Sequence, residues 1–212
     1  MREPGVDTLV VVEVARSASE CILRGGGVCL RFQWTGDRWT HAIEFEGTDD
    51  PVAVSVEFDP ARDDLPHAVS PVYQQLETQQ AAAGGMQALL VGQFGRRHFS
   101  AVFDFRIAAA QILIDVDVAV RGGDGSEILA ATYLIDRTSS DLIDADMRRI
   151  RWILNSRSRE PEPQTLDIAA VEPACLVLRE AGRRATHVQA FASEGYGTRS
   201  RRLAYRWTAT VI

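Results

Sequence analysis

MQALLVGQFGRRHFSAVFDFRIAAAQILIDVDVAVRGGDGSEILAATY, Met86–Tyr133, decides how this chain folds. It reads as four consecutive strands: Met86–Gln93, Arg97–Ile107, Ile112–Arg121 and Glu127–Ile135. Gly95-Arg96-Arg97 and Gly122-Gly123-Asp124-Gly125 supply turns between them. Phe99, Ala101, Phe103, Phe105 and Ile107 share one side of the second strand, and Ile114, Val116, Val118 and Val120 one side of the third. This strict alternation predicts antiparallel strands with one buried and one polar face.

The same alternation continues outward. Towards the N-terminus, Val28, Leu30, Phe32 and Trp34 precede the turn Thr35-Gly36-Asp37, and Trp39, His41, Ile43 and Phe45 follow it. Further strands are predicted over Val52–Phe58 and Val72–Gln79, then over Leu166–Val171, Cys175–Arg179, Thr186–Phe191 and Leu203–Val211. One segment breaks the pattern. Ile143, Met147, Ile150 and Leu154 recur at helical spacing, with aspartates early and arginines late, so an amphipathic helix is expected over Ser140–Leu154. The expected fold is mainly β, an antiparallel barrel or a two-layer sandwich of about ten to twelve strands with that one helix. A single domain over residues 1–212 is expected, with two similar halves, 1–107 and 112–212, as a variant. A chain of this length buries roughly 70% of its unfolded surface, enough for a core without staples.

Composition removes several chemistries. All 23 basic residues are arginine, so neither a Schiff-base lysine nor a phosphate-loop lysine exists. Cys21, Cys29 and Cys175 are an odd count without a CxxC pair, which points to free thiols and a cytoplasmic location. No window of ~20 apolar residues suggests a membrane span. Charge is uneven: residues 148–212 hold twelve arginines against six carboxylates, while residues 1–80 hold six against fourteen. The basic third either docks on acidic partners in the chain or a second copy, or contacts a polyanion.

The candidate site is a polar patch on one strand and its turn: Arg96, Arg97, His98, Ser100, Asp104 and Arg106. His98 and Ser100 cannot form a nucleophile–base pair, because residues two apart on a strand stand about 6.5–7 Å apart. Asp115 and Asp117 join this face only if the two long strands pair in the right register. His41 lies on an apolar face and is expected in the core. Metal-ligand spacing is lacking, including at Asp59, Asp63 and Asp64, so no metal or other cofactor is expected. Arg202 and Arg206 alternate with Tyr205 and Trp207, which puts the rings on the side opposite the charges.

Three functional classes remain. The preferred one is a non-catalytic module that binds a small molecule or a protein, with homo-oligomerisation left open. The alternative is an enzyme with a His- and Arg-lined barrel mouth, using His41, His98 or His187. The second alternative is a nucleic-acid binder through residues 148–206, disfavoured by the acidic overall balance.

Overall fold

The computed structural model describes residues 11–48, 50–58, 69–82, 84–123, 128–155, 164–192 and 200–210. Sixteen strands lie among them: β1 (Glu13–Arg16), β2 (Glu20–Gly25), β3 (Val28–Trp34), β4 (Trp39–Phe45), β5 (Ala53–Ser55), β6 (Gln75–Ala81), β7 (Gly85–Phe94), β8 (Arg97–Ala108), β9 (Gln111–Gly122), β10 (Ala130–Asp136), β11 (Ser140–Ala145), β12 (Arg149–Leu154), β13 (Thr165–Ala170), β14 (Ala174–Glu180), β15 (Ala185–Ala192) and β16 (Ser200–Thr210). They form two eight-stranded sheets, ordered β1-β2-β3-β4-β5-β10-β15-β14 and β11-β12-β13-β16-β9-β8-β7-β6. Every pairing between these strands is antiparallel. The sheets do not close into a barrel; they face each other as a sandwich.

The inward faces carry the alternating apolar residues read from the sequence, and they meet in one core. Phe32 of the first sheet packs edge-on against Phe103 of the second, with ring centroids 5.3 Å apart. Tyr133 meets Trp207 at 5.0 Å. The pairing of β8 with β9 places Phe103 opposite Val116 and Phe105 opposite Ile114, all buried. Of the four strands read in Met86–Tyr133, three are neighbours in one sheet. The fourth, β10, crosses to the other sheet and lies between β5 and β15.

The expected helix over Ser140–Leu154 is replaced by the hairpin β11–β12. Ile150, Trp152 and Leu154 are buried at a spacing of two, whereas Leu142, Ile143 and Met147 are exposed. Asp146 makes the turn: its carboxylate accepts backbone hydrogen bonds from Arg148 and Arg149, each 2.6 Å. These bonds hold the Asp146 carboxyl below its ordinary range. The run of aspartates that suits a helix N-terminus here marks an edge strand. Charge and the bulge between Leu142 and Asp144 discourage pairing with another chain there. Tertiary pairing of Trp152 with Leu166 on β13 outweighed a local helical period.

Asp59, Asp63 and Asp64 lie outside the described residues, as do residues 156–163 and 193–199. Among the described residues, no helix is long and apolar enough to cross a membrane.

Candidate functional site

The outward face of the second sheet is built by register. Gln75 pairs with Val91, Val91 with Ser100, Ser100 with Ala119, and Ala119 with Arg202. One step towards the strand ends, Gln93, His98, Arg121 and Ser200 form a parallel row. The centre of the first row is small, with Ser100 and Ala119 side by side, while Gln75, Arg202, His98 and Arg121 are long. Short side chains flanked by long ones make a trough. The structure shows an open groove there of about 840 Å³. Five strands at about 4.8 Å spacing make it roughly 19 Å across.

Two glycines allow this end of the sheet to form. A side chain at Gly92 would strike the carbonyl oxygen of Val72, where the segment leading into β6 crosses β7. A side chain at Gly122, where φ is +96°, would strike the carbonyl oxygen of Arg96 in the same way. Gln74 ties the same corner: its side-chain amide oxygen accepts from the Gln93 backbone N–H at 2.7 Å.

Charge on this face is arranged in two ways. Away from the groove the arginines are neutralised. There Arg106 and Arg206 donate to Asp115, and Arg149 and Arg151 to Asp167; Arg202, at the groove's edge, donates to Asp117. Burial pushes the Asp115 carboxyl up, but the bonds from Arg206 and Arg106 together hold it below its ordinary range. They also make the direct opposition of Asp104 and Asp115 tolerable. Within the groove, Arg121, His98, Ser100 and Gln75 have no hydrogen-bond or ion-pair partner among the described residues, and no carboxylate lines it.

The six residues of the predicted patch therefore separate. His98 and Ser100 line the groove. Arg96 sits exposed in the β7–β8 turn. Arg97 points to the other side, its guanidinium over the rings of Phe94 and Phe99 at 5.5 and 5.6 Å. Asp104 accepts from Gln87, and Arg106 is paired with Asp115 at the far end of β8. Asp115 and Asp117 do share this face, but both are engaged by arginine. Gln75, Ala119 and Arg121 escaped the sequence reading because they join His98 only through pairing across strands.

A second polar cluster lies inside the core. His41 Nε2 and the Tyr133 hydroxyl are 2.9 Å apart, and the Tyr133 and Tyr205 hydroxyls 2.7 Å. On the other side, His41 Nδ1 stands 3.8 Å from Glu57 Oε1, and the Ser55 hydroxyl donates to that carboxylate. Burial pushes Glu57 up to about 7 and His41 down to about 3, so at neutral pH the imidazole is uncharged. Tyr133 and Tyr205 are both raised by burial. Phe32, Phe103 and Tyr133 surround the imidazole ring. His41 is thus a core histidine, next to a carboxylate but remote from the groove. His98 is in the groove, whose lining holds no carboxylate.

Cys21 and Cys29 do not meet across the β2–β3 hairpin, where Cys29 opposes Arg24 and Cys21 opposes Phe32; all three cysteines are free thiols. Among the described residues, no three His, Cys, Asp or Glu side chains converge to hold a metal. Tyr205 and Trp207 are buried, so their rings are closed to stacking on bases.

No family model and no curated protein matches the sequence. The fold is shared with a solved structure. A heparan sulfate lyase HepC mutant from Pedobacter heparinus superposes with a TM-score of 0.55 at 10% identity, over 99% of this chain and 38% of the lyase chain. A mutarotase-like protein from Salmonella typhimurium gives a TM-score of 0.42 at 11% identity, covering 96% of this chain and 97% of its own. At such identities the likeness to the lyase concerns the fold alone. The chain spans well under half of the lyase's length.

Proposed function

We propose that this chain is a non-catalytic binding module and that the groove on the outward face of its second sheet seats a small polar ligand. One observation carries the reading. Arg121, His98, Ser100 and Gln75 converge on a trough without a partner among the described residues, on a face whose other arginines are mostly paired. Polar groups free to recognise, held on paired strands, are what a preorganised binding site requires. The groove pairs no nucleophile with a base: His98 and Ser100 follow each other on one strand, about 6.5–7 Å apart.

Filling the trough floor tests this reading. Ala119→Trp places an indole over Ser100 on a face already open to solvent, so the fold is expected to survive with an unchanged circular-dichroism spectrum. A screen of small hydroxylated and charged compounds by saturation-transfer NMR should find binders for the native chain that the Ala119→Trp chain loses. Binders that are retained after the trough is filled would place the site elsewhere.

A further inference from the structure

The unneutralised charge in the groove narrows the ligand class. We infer that the groove takes a small hydroxylated organic anion, its carboxylate or phosphate seated on Arg121 and His98 and its hydroxyl groups on Gln75 and Ser100. This rests on the groove being the ligand site.

Arg121 pairs with His98 on one side and Ser200 on the other. The next row along brings Arg202 to the diagonal position. Guanidinium groups crowded this way repel, and the sheet supplies aspartate against that repulsion: Asp117 serves Arg202 at the groove's edge, and further along Asp115 serves two arginines and Asp167 two more. Arg121 has no such counter-charge among the described residues, and its neighbours His98, Gln93 and Ser200 are not acids. An arginine fork matches the geometry of a carboxylate or phosphate, and such charge-assisted bonds are the strong ones. An imidazole N–H beside it supplies a further donor.

The rest of the groove sets what is attached to the anion. The Gln75 amide can donate and accept together, as can the Ser100 hydroxyl, which suits a hydroxyl on the ligand. Ala119 and Val91 offer small apolar patches between them, room for the carbon skeleton of a polyol but not a demand for an aromatic ring. The positive lining also disfavours cationic ligands outright.

Isothermal titration and NMR titration at low salt test the proposal with four probes: gluconate, glucose 6-phosphate, glucose and inorganic phosphate. Gluconate or glucose 6-phosphate should bind with a dissociation constant of about 10 mM or better, and at least about tenfold more tightly than glucose or inorganic phosphate. Arg121→Gln should weaken the anionic probe at least about tenfold, the loss of a bidentate ionic contact. Arg96→Gln, in the turn outside the groove, should leave binding unchanged. The two anionic probes also separate a carboxylate from a phosphate preference. Glucose binding as tightly as the anions, with Arg121→Gln silent but Ala119→Trp blocking, overturns the anion assignment and leaves the groove standing. Anionic binding that Ala119→Trp does not disturb overturns both. Inorganic phosphate matching glucose 6-phosphate removes the hydroxyl half, and so overturns the ligand class. Absence of binding by all four probes overturns the proposal.

Discussion

Three side chains, His41, Tyr133 and Tyr205, hand hydrogen bonds across the middle of the sandwich, from β4 through β10 to β16. Tyr133 is the link, touching both partners through one hydroxyl. Tyr133→Phe keeps the ring and its packing but leaves two buried polar groups short of a partner. A loss of about 1–3 kcal/mol in urea unfolding is expected. Glu57, at the other end, gives a pH signature. Its folded pKa, about 7, lies above the ordinary 4.5, so the folded chain holds the proton longer and stability falls as pH rises from 4.5 to 7. His41, lowered from 6.5 to about 3, acts in the opposite sense: stability rises as pH rises from 3 to 6.5. Between 4.5 and 6.5 the two slopes oppose each other; below 4.5 only the gain remains, and above 6.5 only the loss. Glu57→Gln should abolish the loss near neutral pH while leaving the rise below 4.5, as read from urea midpoints across pH. His41 as a core residue was legible from its apolar neighbours on one strand face. Its carboxylate and tyrosine partners were not, because they come from β10, β16 and the segment after β5.

At the scale of the element, the β11–β12 hairpin separates local from tertiary influence. A helix would bury Ile143 with Ile150; the hairpin exposes the first and buries the second. Ile143→Asp should therefore shift stability by no more than about 0.5 kcal/mol, and Ile150→Ala should cost about 2–5 kcal/mol. Equal, large losses at both positions would restore the helix. The strands β8 and β9 were legible almost residue by residue, since their faces alternate without interruption over Phe99–Ile107 and Ile112–Val120. The hairpin was not, because Leu142, Ile143 and Met147 are apolar residues left exposed, and their spacing mimics a helical stripe. Gly92 is the other point where an element depends on a distant one. Gly92→Ala drives a methyl into the Val72 backbone carbonyl. A thermal melt should show destabilisation well beyond the ~1 kcal/mol typical of point substitutions.

Across the whole molecule, part of the uneven charge of the sequence is met by pairing between distant segments. Arg202 and Arg206 from the basic last third meet Asp117 and Asp115 of β9. Exposed pairs of this kind contribute at most about 1 kcal/mol each. Asp117→Asn should therefore leave the melting temperature nearly unchanged, while freeing Arg202 at the groove rim and tightening the binding of gluconate. The groove itself could be read only in part from the sequence. His98 and Ser100 announced a polar face, but the trough exists because Ala119 and Val91 arrive beside them from other strands, while Arg121 pairs with His98. Arg106 and Asp104, on the same face of the same strand, belong to a neutralised region further along. The measurement that bears most directly on the account is an amide-resolved NMR titration of the native chain with gluconate. Perturbations centred on Gln75, Val91, Ser100, Ala119 and Arg121 are the predicted result. Perturbations centred on the β11–β12 hairpin, or on any surface away from these five residues, would contradict it.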